Sequence, residues 1–219
     1  MPSRHSALFY LHGFASGPDS SKGQFFRQRF AALGYELKLP DLTEGDFENT
    51  TLSRQLALLD RVVGASPAVL IGSSMGAYLA ALFAARHPRR VPCVVLLAPA
   101  FDLARYWAAS LGEDVVCEWR ERGQRQVYHF GEKQVRNLSY RLLEDALQYE
   151  GFPDVRQPAL VVHGRADETV DHRLSLRFAE DRPNAEVVLY DSDHQLLNVL
   201  EEIWERIRKF TAEIPEASS

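Results

Sequence analysis

Gly72-Ser73-Ser74-Met75-Gly76 is the segment of this chain with the most explicit chemistry. It reads G-x-S-x-G and stands between an apolar run, Ala68 to Ile71, and a helix-period stretch that opens near Ala77. A strand that turns this sharply into a helix holds its central residue in a strained conformation. The hydroxyl is then exposed at the helix N-terminus. Small flanking residues are needed, because larger ones would collide with the neighbouring strand and helix. The frame makes Ser74, not Ser73, the nucleophile. Without this context the same pentapeptide would be only a glycine-rich turn.

A serine hydroxyl attacks poorly at neutral pH unless a base takes its proton. The chain has seven histidines. His194 follows the last apolar run, in Asp191-Ser192-Asp193-His194, which places its ring at the same sheet edge as the serine turn. His12 and His163 precede glycines at strand ends and read as loop braces. His87 ends a helix beside Pro88 and reads as a cap. His5 is near the terminus, His129 lies in the middle of the chain and His172 stands near a helix start. The base in turn needs an acid to fix its tautomer and stabilise the imidazolium. Asp167 follows the run Ala159 to Val162 and is the candidate. Glu168 and Asp171 compete, but Asp171 reads as an N-cap. Asp193 adjoins His194 in sequence and cannot easily face its ring. Parallel strands deliver their C-terminal loops to one edge, so the three loops can converge. Two backbone donors for an oxyanion are expected, the N–H of Met75 and that of Phe14, beside Gly13 in the loop after the first run.

The elements that must position these groups alternate along the chain. Short apolar runs span Ala7 to Leu11, Tyr35 to Leu39, Ala68 to Ile71, Pro92 to Leu97, Ala159 to Val162 and Glu186 to Tyr190. Several are too apolar to be half-exposed and read as strands buried on both faces. Between them lie helix-period stretches. Phe25, Phe26, Arg29 and Leu33 mark the first, and Leu52, Leu56, Leu59 and Val63 the second. Ala77 to Arg86 is the third, Ser175 to Glu180 lies in the fourth, and Ile203, Ile207 and Phe210 anchor the last. The expected fold is α/β, a compact, mainly parallel sheet of about six strands with helices on both faces. One domain over 1–219 is expected, with a cap insertion at about 101–157. That insertion shows an amphipathic stretch over Asn137 to Glu150, with Leu138, Leu142, Leu143, Ala146 and Leu147, and a small hairpin near Gln126 to Phe130. Its aromatics, Phe101, Tyr106, Trp107, Trp119, Tyr128, Phe130 and Tyr140, either bury one another or shape a substrate pocket.

Composition narrows the class. A chain of 219 residues with 46% hydrophobic and 25% charged residues fits one globular domain and argues against disorder as the main state. A net charge of −5 with no basic stretch argues against nucleic acid and gives no support for a polyanionic substrate. Cys93 and Cys117 have neither metal spacing nor a CxxC pattern, so a reducing compartment is expected rather than a disulfide framework. Apolar runs such as Val91 to Ala98 fall short of the ~20 residues of a membrane helix. Arg4 and the run after it mimic a signal peptide, but the run is shorter than the usual ~7–15 residues and lacks a cleavage site. A cytoplasmic protein is therefore expected, with a frayed tail from Pro215 to Ser219.

The order Ser74, Asp167, His194 is the one that α/β-hydrolases use, unlike the chymotrypsin or subtilisin order. From Leu11-His12-Gly13 to His194 the chain resembles that superfamily. Tyr10-Leu11-His12-Gly13-Phe14, Ser21-Lys22 and Gly72-Ser73-Ser74-Met75-Gly76-Ala77-Tyr78 resemble small bacterial esterases of the YqiA type. His163-Gly164, Asp167 and Ser192-Asp193-His194 are also similar to ABHD10-like acyl thioesterases. The resemblance implies an esterase or thioesterase that acts on small acyl substrates with no cofactor and no metal. A carbon–carbon bond hydrolase, a lactonase or a peptidase would use the same three residues. A non-catalytic binding protein on the same fold is the alternative from another class. No GxGxxG or GxxxxGK[ST] follows any strand, which argues against a nucleotide-binding protein. The natural substrate, the acyl length and the oligomeric state are not written in these spacings.

Overall fold

The computed structural model describes residues 6–212. His5 and the tail from Pro215 lie outside the described residues. Six parallel strands form the main sheet: β1 (Ala7–Leu11), β2 (Leu37–Lys38), β3 (Ala68–Ser73), β4 (Val94–Leu97), β7 (Ala159–Gly164) and β8 (Ala185–Tyr190). Their order is β2-β1-β3-β4-β7-β8. A separate antiparallel hairpin pairs β5 (Gln124–His129) with β6 (Gln134–Ser139).

The two-residue period of a strand explains the lack of polar alternation in these runs. Phe9, Leu11, Leu70, Leu96 and Val161 enter one core, while Leu8, Tyr10, Ile71, Val95, Leu97 and Val162 enter the other. With both faces covered, successive residues are all apolar. The first core is closed by α2 (Leu52–Val63), α3 (Met75–Arg86) and α7 (Arg173–Glu180), the second by α1 (Ser21–Ala31) and α8 (Leu200–Ala212). Strand order reverses direction between β1 and β3. This is the switch point at which loops leave opposite ways and open a crevice. The loops after β1 and β3 border that crevice.

Two local expectations need correction. Leu33, expected in the first helix, lies beyond its end and is 44% exposed. The reason is that α1 ends at Ala31, and Gly34, at φ +80°, turns the chain away before the spacing can be completed. The stretch from Asn137 is not one amphipathic helix. Asn137 to Ser139 completes β6, α6 covers only Arg141–Ala146, and Leu147 is 56% exposed. Leu138 is fixed in the strand by burial and by its carbonyl, which accepts from Trp119 Nε1 at 3.1 Å.

Between β4 and β7 the chain runs through α4 (Leu103–Leu111), α5 (Glu113–Arg122), the hairpin and α6 before returning to the sheet. Its hairpin tip meets the loop after β1, where the Gly131 amide donates to the Ala15 carbonyl at 3.2 Å. No helix among the described residues is long and apolar enough to cross a membrane. Cys93 is buried and Cys117 exposed, and both are free thiols.

Candidate active site

The turn from β3 into α3 owes its tightness to two missing side chains. A Cβ on Gly72 would lie 2.3 Å from the Gly76 carbonyl oxygen, and one on Gly76 would lie 2.3 Å from the Leu11 oxygen and 2.4 Å from that of His12. Ser74 between them sits at φ 55°, ψ −119°, a region that L-residues avoid. The neighbourhood holds it there. Its amide donates to the Leu97 carbonyl at 2.8 Å, and its carbonyl accepts from the amides of Ala77, Tyr78 and Ala100.

Gly164 plays the same part at the far end of the site. A Cβ there would stand 2.3 Å from the Ser192 oxygen and 2.5 Å from that of Asp193, so its absence lets the loop after β8 fold across the end of β7. That loop carries His194. Asp193 faces away, since its Oδ1 caps the amides of Gln195 and Leu196. His194 Nδ1 stands 2.7 Å from Asp167 Oδ2, and Nε2 stands 3.1 Å from Ser74 Oγ. The carboxylate can only accept, so Nδ1 carries the proton and Nε2 is free to accept from the serine hydroxyl.

Asp167 is fully satisfied. Its Oδ1 accepts from the amides of Thr169 and Val170, both at 2.8 Å, and its Oδ2 accepts from His194 and from His163 Nε2 at 3.0 Å. Burial opposes its ionisation, but the hydrogen bonds from His163, His194 and Val170 outweigh it and hold the carboxyl well below the usual carboxylate range. The sequence marked His163 as a brace, and the structure shows that the group it braces is Asp167. Its Nε2 also faces the Val170 carbonyl at 3.0 Å, so Nε2 is the protonated nitrogen, and Nδ1 accepts from the Ser175 hydroxyl at 2.7 Å. His12 braces the other side. Its Nδ1 donates to the Gly13 carbonyl at 3.0 Å and its Nε2 accepts the Leu42 amide at 3.1 Å, tying the loop after β1 to the loop after β2. Burial pushes the His12 ring toward its neutral form. His87 C-caps α3 as expected. The N-cap position of α7 falls on His172 rather than on Asp171, which from one residue earlier accepts the Arg173 amide at 2.9 Å.

Phe14 and Met75, the residues of the two expected backbone donors, line the same cavity as Ser74. Met75 is the first residue of α3, so its amide has no acceptor within the helix. Gly13, just before Phe14, packs so closely that a Cβ on it would lie 3.3 Å from Ser74 Cβ and 3.9 Å from Oγ. A cavity of about 720 Å³ opens above these groups. Phe101, Tyr106, Trp107 and Phe130 of the 98–158 connection line it together with Phe14. Trp119 and Tyr140 instead pack edge-on against each other, and Tyr128 is exposed. The excursion therefore both buries its own aromatics and walls the cavity.

Lys22 is a residue whose position no spacing revealed. It belongs to the first turn of α1, is 7% exposed, and its Nζ reaches the His194 carbonyl at 3.5 Å. Burial lowers its ammonium to about 8, against the opposing pull of Asp167 and Asp193. Between pH 8 and 10.5 the unfolded chain keeps a proton that the folded chain releases, so this lysine makes stability rise with pH across that window. Urea unfolding of wild type is expected to gain about 3 kcal/mol over that range relative to Lys22→Met. Parallel stability curves would show that the buried ammonium carries no such cost.

The match to known proteins agrees with this architecture. A model of the family described as "Uncharacterised protein family (UPF0227)" matches residues 7–212. No curated protein matches the sequence. Among solved structures, the chain is similar to the α/β hydrolase domain-containing protein 10 of mouse, at 20% identity and a TM-score of 0.76, covering 95% of this chain and 92% of that one. It is similar to Est1E from Butyrivibrio proteoclasticus, solved with ferulic acid bound, at 20% identity and a TM-score of 0.78, covering 98% and 92%. It is also similar to the Paleococcus ferrophilus monoacylglycerol lipase, at 14% identity and a TM-score of 0.76, covering 98% and 96%. These likenesses establish the α/β-hydrolase fold.

Proposed function

The chain belongs to the UPF0227 family, and from that premise and the geometry of its site we propose that it is a serine hydrolase cleaving carboxylic esters or thioesters of small acyl substrates. The observation that carries the reading is the unbroken chain from Ser74 Oγ through both nitrogens of His194 to Asp167, at 3.1 and 2.7 Å. The names of the structural neighbours, an esterase-type protein with ferulic acid bound and a monoacylglycerol lipase among them, point the same way.

In this mechanism Ser74 Oγ attacks the acyl carbonyl as His194 Nε2 takes its proton. Asp167 keeps Nδ1 protonated and stabilises the imidazolium that forms. The amides of Phe14 and Met75 receive the negative charge that develops on the carbonyl oxygen. His194 then protonates the departing alcohol or thiol, which leaves Ser74 acylated. Water, deprotonated by His194, hydrolyses the ester and restores the serine. The protein's own groups supply every proton transfer. The 98–158 connection serves as the cap, with Phe101, Tyr106, Trp107 and Phe130 offering an apolar wall to the acyl chain.

A fluorophosphonate probe is expected to label the wild type at a single serine, Ser74, as read by peptide mass spectrometry. Labelling at Ser73, or none at all under conditions where p-nitrophenyl acetate is cleaved, would remove Ser74 from the nucleophile's role. A panel of p-nitrophenyl esters and acyl-CoA thioesters of graded length then separates ester from thioester preference.

A further inference from the structure

One wall of the cavity is built for a charge that the mechanism above does not use. Lys22 lies in the first turn of α1, at the positive end of the helix dipole, where a cation is unfavourable and an acid is usual. No acidic residue stands in that turn, and the N-cap, Ser20, makes no side-chain capping bond. The first amides of α1 therefore have neither an intrahelical acceptor nor a side-chain cap. The Ser20 and Tyr10 hydroxyls face each other and Ser73, but neither makes a well-formed hydrogen bond among the described residues. Tyr10 is 1% exposed and lies close to Ser20 and Ser73. Gly23 permits this crowding, since a Cβ on it would stand 2.9 Å from Ser20 Oγ and 3.0 Å from the Tyr10 ring. Tyr10, Ser20, Lys22 and Ser73 line the same cavity as Ser74 and His194. Among the described residues the Lys22 ammonium donates to the His194 carbonyl, at the long distance of 3.5 Å.

A buried ammonium, uncapped helix amides and a cluster of hydroxyls without well-formed bonds on one wall have the same electrostatic complement. We propose that this wall is an anion subsite that receives a carboxylate of the substrate beside the bond to be cleaved. The proposal rests on the hydrolase reading and narrows its substrate to carboxylate-bearing esters or thioesters. Asp167 and Asp193 also act on this ammonium, but their carboxylates accept from His163, His194 and main-chain amides, so the cavity side of Lys22 has room for one further charge, which suits a carboxylate better than a dianionic phosphate. Asp19, Asp41 and Glu132 also line the cavity, but all three are exposed residues whose charge water and salt screen, whereas Lys22 acts from the interior. The neighbouring contacts set the reach. Lys22 touches the His194 main chain and Ser73 adjoins Ser74, so the carboxylate belongs within a short spacer of the scissile carbonyl.

Two substrate pairs test this. In one, the charge is on the acyl half (mono-p-nitrophenyl glutarate against its carboxamide counterpart). In the other, it is on the leaving half (3-acetoxybenzoate against 3-acetoxybenzamide). Wild type is expected to favour the carboxylate member of one pair by about tenfold or more in kcat/KM, the size of one charge-assisted hydrogen bond. Lys22→Met is expected to bring that ratio close to one. Tyr10→Phe, which deletes only a hydroxyl, is expected to lower it about threefold. A ratio near one for both pairs in wild type would overturn the proposal, as would a preference unchanged in both variants. If wild type cleaves no member of either pair and takes no fluorophosphonate label, the hydrolase reading itself falls, and the subsite with it. An enzyme that is labelled and cleaves charged and neutral members alike loses only the subsite.

Discussion

Ser74→Ala is expected to lower turnover by about 10⁴-fold or more on any ester that the wild type cleaves, with no loss of folded structure. The size follows from the reaction. Without Oγ there is no acyl-enzyme, and His194 has only water to deprotonate. Any residual rate would come from the Phe14 and Met75 amides and from substrate binding. The fold should survive, because what holds residue 74 at φ 55° is its backbone, through the Leu97 carbonyl and the Ala77, Tyr78 and Ala100 amides. Ser74→Gly adds a control. Glycine occupies that conformation without steric cost, so this variant should be more stable than Ser74→Ala by about 1 kcal/mol while being equally inactive. The measurements are steady-state hydrolysis with active-site titration, and urea unfolding of all three proteins. Activity within tenfold of wild type in either variant would end the Ser74 mechanism. Equal stability of the two variants would show that the turn is not strained.

Gly76→Ala should do comparable harm by a different route. Its new methyl would stand 2.3 Å from the Leu11 oxygen and 2.4 Å from that of His12, both of them main-chain atoms that cannot swing aside. Either α3 or the end of β1 must move. Overpacking of this kind costs about 3 kcal/mol. The end of β1 leads into Gly13 and Phe14, so the displacement would separate the Phe14 amide from Ser74. A misplacement of about 1 Å costs about 10²-fold in rate. The expected result is a lower Tm together with a kcat reduced at least about 10²-fold, while Ser74 still accepts a fluorophosphonate slowly. A variant with wild-type Tm and kcat would show that the strand and helix are not in the contact described. The two predictions differ in kind. Ser74→Ala removes a reacting atom and leaves the scaffold, whereas Gly76→Ala keeps every reacting atom and moves the scaffold.

Much of the scaffold was legible because its signals are local. The runs at Ala7 to Leu11, Ala68 to Ile71 and Ala159 to Val162 are short and apolar without interruption, as a strand covered on both faces requires, and each appears in the sheet at its expected place. The G-x-S-x-G turn was legible for a related reason. The demand for glycine at 72 and 76 is a steric one between near neighbours in the chain and the adjoining strand, and it leaves its mark in residue type. Reading failed where periodicity was accidental. Leu33 continued a spacing that Gly34 interrupts, and Asn137 to Ser139 read as the start of one amphipathic stretch although a hairpin partner claimed them. A strand partner contributes its hydrogen bonds from elsewhere in the chain, and no window on one segment contains it.

The sequence by itself determined the fold class and proposed Ser74, Asp167 and His194, because strand periodicity, steric need at a turn and chain order are written residue by residue. Only the tertiary structure decided what surrounds those residues. It showed His163 donating to Asp167, Gly164 opening the path for the His194 loop, and four aromatics of the 98–158 connection turned toward the cavity while two pack on each other. It also decided the state of Lys22. In the sequence it stands out only through the resemblance carried by Ser21-Lys22, and its charge is one of 25 in a net sum of −5 that says nothing of burial. In the fold it is a buried ammonium beside the hydroxyls of Tyr10, Ser20 and Ser73 in one cavity wall. Burial and the direction of a side chain depend on groups from distant parts of the chain arriving at one point, and a one-dimensional spacing does not contain that information.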